Sequence, residues 1–388
     1  MVHPYKPSGT AGEFVTQAAR IATDVALPHA DEVDAQPRFP AESMKVLAEQ
    51  GFYGLCLPKE TGGKGEGMRA FAGVVDELAA ACASTAMVYV MHTCAAQAIA
   101  AARALASRDA VLREIAAGKH LTTLAFSESG SRSQFWAPVS QMEESEGHYL
   151  VSARKSWVTS AAHADSYVAT SQKPGAASPL ESTVYLVRSK AKGVRVTSLF
   201  NGLGLRGNDS SPVTFESVGV GKGDLISGLG EGPQIILGVV LPWFGVGTAA
   251  MANGLCRAAV AKTAAHLTGT GFEHDGKLLR DLPTLRARLA QMSARTEESR
   301  SLLGHTLDQI ESPSETTPLY VLQSRMVALQ AAVDVTDLAM KACGGAAFSR
   351  HLTIERLFRD ARAGWVMAPT VDHLQDFVGR ALTGLPLF

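Results

Sequence analysis

The stretch Ala125-Phe126-Ser127-Glu128-Ser129-Gly130-Ser131-Arg132-Ser133 stands where the chain changes character. Before it, Glu13 to Val25 and Pro40 to Gln50 carry apolar residues at helical spacing, and two Ala-rich helices are expected over Gly67 to Ala83 and Ser84 to Leu105, with a short one at Arg108 to Ala117. After it come short β-rich runs: Tyr149-Leu-Val-Ser-Ala, Trp157-Val-Thr, Ser166-Tyr-Val-Ala-Thr, Thr183-Val-Tyr-Leu-Val and Val194-Arg-Val. Turn residues part them at Glu146-Gly147, Lys173 to Pro179 and Lys192-Gly193. From about residue 232 the chain reads helical again. Asp281 is the expected N-cap of a long helix, with Pro283 in its first turn. Leu282, Leu285, Leu289, Met292, Leu303, Leu307 and Ile310 form one apolar stripe, and Leu322, Met326, Leu329, Val333 and Met340 a second, both expected in a bundle core. The expected division is a helical domain over 1–120, a β-domain over 121–231 and a helical bundle over 232–388.

Composition narrows the function classes. Lys and Arg number 36 against 37 Asp and Glu, with no basic block, so nothing points to nucleic acid. The five cysteines, Cys56, Cys82, Cys94, Cys256 and Cys343, form no CxxC pair; buried thiols in a reducing cytoplasm are expected, with no metal site. Residues 1–10 lack the apolar stretch of a signal peptide. Ile235 to Ala252 is nearly all apolar, but Gly238, Pro242, Gly245 and Gly247 interrupt it. A buried core helix is expected there rather than a membrane span.

Four segments resemble motifs of the acyl-CoA dehydrogenase superfamily, in the family's order and over nearly the whole chain. The opening stretch resembles TEPGxGS. Lys155-Ser-Trp157-Val-Thr159-Ser-Ala-Ala-His-Ala-Asp165 is similar to KxWITNGxxAD. Gly204-Leu-Arg206-Gly207-Asn-Asp209-Ser with Val213-Thr-Phe215 resembles GxRGSxxxxVxF. Gly344-Gly345 with Glu355-Arg356-Leu-Phe-Arg359-Asp360-Ala361-Arg362 resembles GGxG and ERxxRDAR.

The resemblance implies an α+β fold with an N-terminal helical domain, a central β-barrel-like domain and a C-terminal four-helix bundle. It implies FAD between the β-domain and the bundle, although altered adenine-side contacts leave FMN open. Phe126, Ser127, Trp157, Thr159, Thr370 and Asp372 match flavin-contacting positions. Ser127 would bond the polar edge of the ring and Trp157 would shield it. Ser133, Phe244 and Trp365 match the substrate region. Arg206 and the cluster Arg356, Arg359, Asp360 and Arg362 are expected to make structural ion pairs.

The family pattern fails at its base. The family removes an α-proton with a Glu placed shortly after RDAR or on an earlier helix; here Ala368 and Phe244 stand at those positions, and neither accepts a proton. Gly245 replaces an Arg that helps hold acyl-CoA, and the RxxFG register reads Phe272-Glu-His-Asp275-Gly276. His92, on a helix expected to wall the pocket, is the remaining acid–base candidate, set against the plainer reading of a satisfied histidine. The first expectation is a flavin-dependent oxidoreductase acting on the CH–CH group of an acyl thioester or similar substrate with a non-standard base. Alternatives are a flavin-dependent monooxygenase on the same scaffold, or a non-catalytic flavin- or acyl-binding subunit. The expected partners are a small acyl or aromatic substrate, an electron-transfer flavoprotein or a flavin reductase, and further copies of the chain in a homotetramer or homodimer.

Overall fold

Six helices open the computed structural model, which describes residues 3–387: α1 (Gly9–Ile21), α2 (Leu27–Ala35), α3 (Ala41–Glu49), α4 (Met68–Ala81), α5 (Ala83–Ala101) and α6 (Arg108–Ala116). The spacing predicts an end near Val25, yet α1 runs on into α2 through a five-residue π turn, Ala22–Ala26, just ahead of Pro28. Proline lacks an N–H and crowds the carbonyl four residues back, and the wider turn accommodates both defects. The same device recurs before Pro242. There α7 (Gly232–Ile235) passes through a π turn, Ile236–Val240, into α8 (Leu241–Gly269).

Seven strands lie between these helical parts: β1 (Thr122–Ala125), β2 (Met142–Ser145), β3 (His148–Val158), β4 (Ser166–Gln172), β5 (Ser182–Arg188), β6 (Val194–Val196) and β7 (Ser211–Val220). One sheet has the order β1-β4-β5, with β1 and β4 parallel; the other has the order β2-β3-β7-β6 and is antiparallel. Inward residues of both sheets, among them Val151, Tyr167, Tyr185 and Phe215, share one core. Bridges at Gln141–Gln172 and Glu128–Lys155 join the sheets at their margins, giving the expected barrel-like domain.

The C-terminal bundle is α8 with α9 (Pro283–Glu311), α10 (Thr317–Cys343) and α11 (Ile354–Val366); α12 (Val371–Thr383) lies against α10. The run Gly232–Gly269 is long and apolar enough to cross a membrane, but its middle, Phe244–Cys256, is buried inside the fold. Two expectations are corrected. Leu282, not Asp281, caps α9; Asp281 closes a 3-10 turn and its carboxylate accepts from the Leu278 amide at 2.8 Å. The first apolar stripe enters the core only from Met292 onward: Leu282 is 38% exposed, and Leu285 and Leu289 are half-buried because the described residues leave that face of α9 uncovered.

The first and last helical parts share a single hydrophobic core. α4 packs on α8 so closely that a Cβ on Gly254 would lie 2.4 Å from the Asp76 carbonyl oxygen. The fully buried Asp76 carboxylate accepts from Arg257 at 2.6 Å and faces Arg300 at 3.4 Å, tying α4 to α8 and α9.

Candidate active site

The β-domain presents Ser127 and Trp157 side by side. Beyond the end of β1, the Ser127 carbonyl accepts from the Ser156 amide at 2.9 Å, and Ser129 donates to the Arg154 carbonyl. A β-bulge between Lys155 and Val158 puts Trp157 at φ +58°, turning its indole out of the sheet to 68% exposure. Left-handed backbone at a bulky residue is costly and is held only where the surroundings dictate it. The Ser127 hydroxyl and the indole N–H make no hydrogen bond among the described residues. An exposed aromatic face beside an unused hydroxyl and strand-end amides suits a flat ring that is apolar on its faces and polar along one edge. Thr159, just past the end of the strand, is buried with its hydroxyl 3.0 Å from that of Ser210.

Glu128 fastens this junction. Its carboxylate receives Lys155 Nζ at 2.6 Å and the amides of Val139 and Ser140, each at 2.7 Å. Burial pushes the Glu128 carboxyl up, but the Lys155 ammonium and these donors outweigh it and hold the group below its ordinary range. The loop between is closed at both ends and lined by aromatics. Phe126 stacks with Phe135, whose neighbour Trp136 packs on His373 and Phe377 of α12. Arg132 (φ +47°) and Ser133 (φ +67°) are both left-handed and exposed, so Arg132 keeps the backbone of the motif's glycine without being one.

On the far side, the loop after β6 is clamped to the bundle. The buried Asp360 carboxylate accepts from the Leu205 amide at 2.7 Å. Arg359 pairs with Asp34 at 2.6 Å and Glu355 at 2.7 Å, and donates to the Leu203 carbonyl. Arg356 pairs with Asp31 at 3.1 Å, Arg362 with Asp337 at 2.9 Å, and Arg206 donates to the Asp34 carbonyl, so the cluster is structural. Gly204 has no room for a side chain: a Cβ would stand 2.3 Å from the Arg359 carbonyl oxygen. Phe200, in the same loop, meets Trp157 edge-on at 6.3 Å. The β-domain thus docks on α11 through one loop and on α12 through the other. The connection Met367–Thr370, with its cis Ala368–Pro369 bond, lies between these two contacts.

That connection meets a cation. Arg325 on α10 is 1% exposed; its Nε donates to the Thr248 hydroxyl at 3.0 Å, its Nη2 to the Met367 carbonyl at 3.2 Å, and its guanidinium carbon lies 4.9 Å from the centre of the Phe244 ring. Its Nη1 has no partner. Burial alone pulls the guanidinium down to about 9, so it stays charged at neutral pH. The sequence carries one signal for Arg325: a position three residues after Leu322 and four before Leu329, on the buried face of the second stripe.

His92 is corrected. The ring is fully buried, its Nε2 lies 3.2 Å from the Tyr53 carbonyl oxygen and its Nδ1 accepts from the Thr122 amide at 3.2 Å. Burial drives its pKa down to about 4. A neutral imidazole with both nitrogens bound to backbone pins α5 to β1 and has no lone pair or proton left for a substrate. Among the remaining positions, Thr370 caps α12 by accepting from the His373 amide, Asp372 is exposed in that helix's first turn, and Trp365 is half-buried on α11.

Comparison with known proteins agrees with this architecture. Family models described as acyl-CoA dehydrogenase N-terminal, middle and C-terminal domains match residues 10–119, 123–218 and 230–382. The 3-(aryl)acrylate reductase of Clostridium sporogenes is 25% identical, over 90% of this chain and 92% of its own. The glutaryl-coenzyme A dehydrogenase glutaryl-CoA complex superposes with a TM-score of 0.92 at 21% identity, covering 98% of this chain and 96% of that one. The FAD complex of PigA superposes at 0.89 with 19% identity, covering 97% and 98%. With all three family domains present in order and motifs preserved at each junction, this chain belongs to the acyl-CoA dehydrogenase family.

Proposed function

We propose that the chain binds FAD in the cleft between the β-domain and the bundle and acts as an oxidoreductase on the CH–CH group of a small acyl substrate, without a protein carboxylate as base at either usual position. The supporting observation is Ser127 beside the outward-turned Trp157 at one junction of β-domain and bundle, with Phe244 and Arg325 gathered at the connection that carries Ala368. FAD supplies hydride transfer when bound. Ser127 and the neighbouring amides would hold the polar edge of the ring, Trp157 would cover it, and Thr370 and Asp372 at the start of α12 would face the rest of the cofactor. Phe244 and Trp365 would exclude water from the reacting carbons. The 3-(aryl)acrylate reductase is a relative whose name describes chemistry at such a carbon–carbon bond.

The test is anaerobic mixing of FAD-loaded protein with saturated acyl-CoAs and acids, and of the reduced protein with their α,β-unsaturated counterparts. Bleaching in the first direction or recolouring in the second is expected for at least one pair. No change in either direction with any substrate removes the reading. A second reading, a monooxygenase supplied with reduced flavin by a separate reductase, is favoured by the two apolar base positions; it requires oxygenated product when reductase and oxygen are added. An electron-transfer flavoprotein is the proposed exchange partner under the first reading. The half-exposed leucines at the start of α9 and the 87%-exposed Phe348 favour a homo-oligomer, testable by light scattering.

A further inference from the structure

Among the described residues the fold buries four cationic side chains, and three are matched. Lys155 has Glu128 at 2.6 Å, Arg300 has Asp76 at 3.4 Å and Arg356 has Asp31 at 3.1 Å. Arg325 is the exception: among the described residues no carboxylate lies within ion-pair distance of it, whereas Arg300 Nε and Arg356 Nη1, which like Arg325 Nη1 make no hydrogen bond, each have a carboxylate oxygen within 3.4 Å. A charge removed from water with nothing opposite is among the least favourable arrangements a fold can hold. Its place is specific. The guanidinium sits against the Phe244 ring and the Met367 carbonyl, so it touches one former base position and adjoins the other, Ala368. The chain thus holds a cation beside two positions, Phe244 and Ala368, that supply no negative charge.

The bonds already made leave the outer fork without acceptors, and Nη1 is closed off from solvent, so a ligand reaches it only as the neighbouring side chains move aside. Nε and one Nη2 hydrogen are used; both Nη1 hydrogens and the second Nη2 hydrogen are not. Two parallel N–H groups in that geometry match the two oxygens of a carboxylate. The surroundings add no competing anion: Thr248 from α8, the Met367 carbonyl and the Phe244 ring are neutral.

We propose that Arg325 receives a substrate carboxylate, so that the ligand of this pocket is a small organic acid bound by its anionic end rather than only a neutral thioester. This deepens the proposed function and rests on its placing of the substrate against Phe244 and Ala368. The carboxylate supplies the missing counter-charge and fixes the acyl carbons beside the apolar wall.

The experiment titrates FAD-loaded protein with benzoate, phenylacetate, trans-cinnamate and hexanoate, each beside its neutral amide. Binding is followed by the flavin spectrum and by equilibrium dialysis. At least one acid should bind about thirtyfold more tightly than its amide. Arg325→Met should abolish that preference, so that acid and amide bind alike, and Arg325→Lys, which keeps the charge but loses the fork, should fall between. If no acid is preferred over its amide, or if the preference survives in Arg325→Met, the proposal is overturned. Should Arg325→Met not fold, as judged by flavin content and melting, an unchanged preference in Arg325→Lys overturns it and a reduced one supports it. A protein that takes up no FAD yet prefers acids by dialysis keeps this proposal and removes the flavin reading; a flavin-loaded protein without the preference does the reverse.

Discussion

Substituting Glu128→Gln tests how the ring cradle is held. Lys155 Nζ is completely buried and lies 2.6 Å from Glu128 Oε1. Its other partner is the Thr170 carbonyl, which offsets no charge. Gln keeps the shape and one acceptor but removes the charge. The same change weakens the two charge-assisted bonds from Val139 and Ser140 that close the loop after Ser127. Breaking a buried pair from one side costs about 3–5 kcal/mol, most of it the penalty on the cation left behind. Denaturant unfolding of wild type and variant, both FAD-loaded, measures the loss, and dialysis measures flavin retention. The double variant Glu128→Gln/Lys155→Met removes the stranded charge and should recover at least half the loss. A single variant within about 1 kcal/mol of wild type, or a double variant no better than the single, refutes the reasoning.

Three further outcomes follow from the geometry. His92 is held neutral in the fold with a pKa of about 4 against 6.5 when free, so the unfolded chain binds the extra proton. Stability present above pH ~6.5 is therefore lost as pH falls toward ~4, by roughly 3 kcal/mol at the limit; denaturation at several pH values should show a shallower acid limb in His92→Gln. Trp157→Ala removes a side chain 68% exposed, so melting without FAD should move by no more than about 0.5 kcal/mol, while FAD affinity falls at least tenfold. Arg132→Gly relieves a left-handed backbone at φ +47° and should leave stability unchanged or raise it by up to about 1 kcal/mol, read by thermal melting.

Local patterns carried most of the architecture. Apolar spacing placed the helices, and turn residues parted the strands, because each signal is written within a few neighbouring residues. The π turns before Pro28 and Pro242 were not legible, since a proline reads as a stop and only packing on both sides makes a continuous helix worth keeping. The exposed start of α9 was missed for the converse reason: periodicity shows that a stripe exists, not whether a neighbour covers it. The closeness of Ser127 and Trp157 was legible because each lies within a short motif segment and the two segments pair in the fold. Arg325 was not, because its isolation depends on α8 and the α11–α12 connection bringing it no carboxylate. His92 misled because a histidine's chemistry is set by Tyr53 and Thr122, both distant along the chain.

The common core of the outer helices bears on how the protein is made. Asp76 meets Arg257 across 181 residues of chain, so α4 can meet α1 and α5 early but cannot bury the face that packs on α8 until α8 has left the ribosome. At about 5–20 residues per second, that is a wait of roughly 10–40 s. The β-domain has a core of its own and can form within that interval. Nascent chains halted once β7 and Leu225 have cleared the ribosome, but before α8 has, should therefore carry a protease-resistant middle beside an N-terminal third that chaperones still hold.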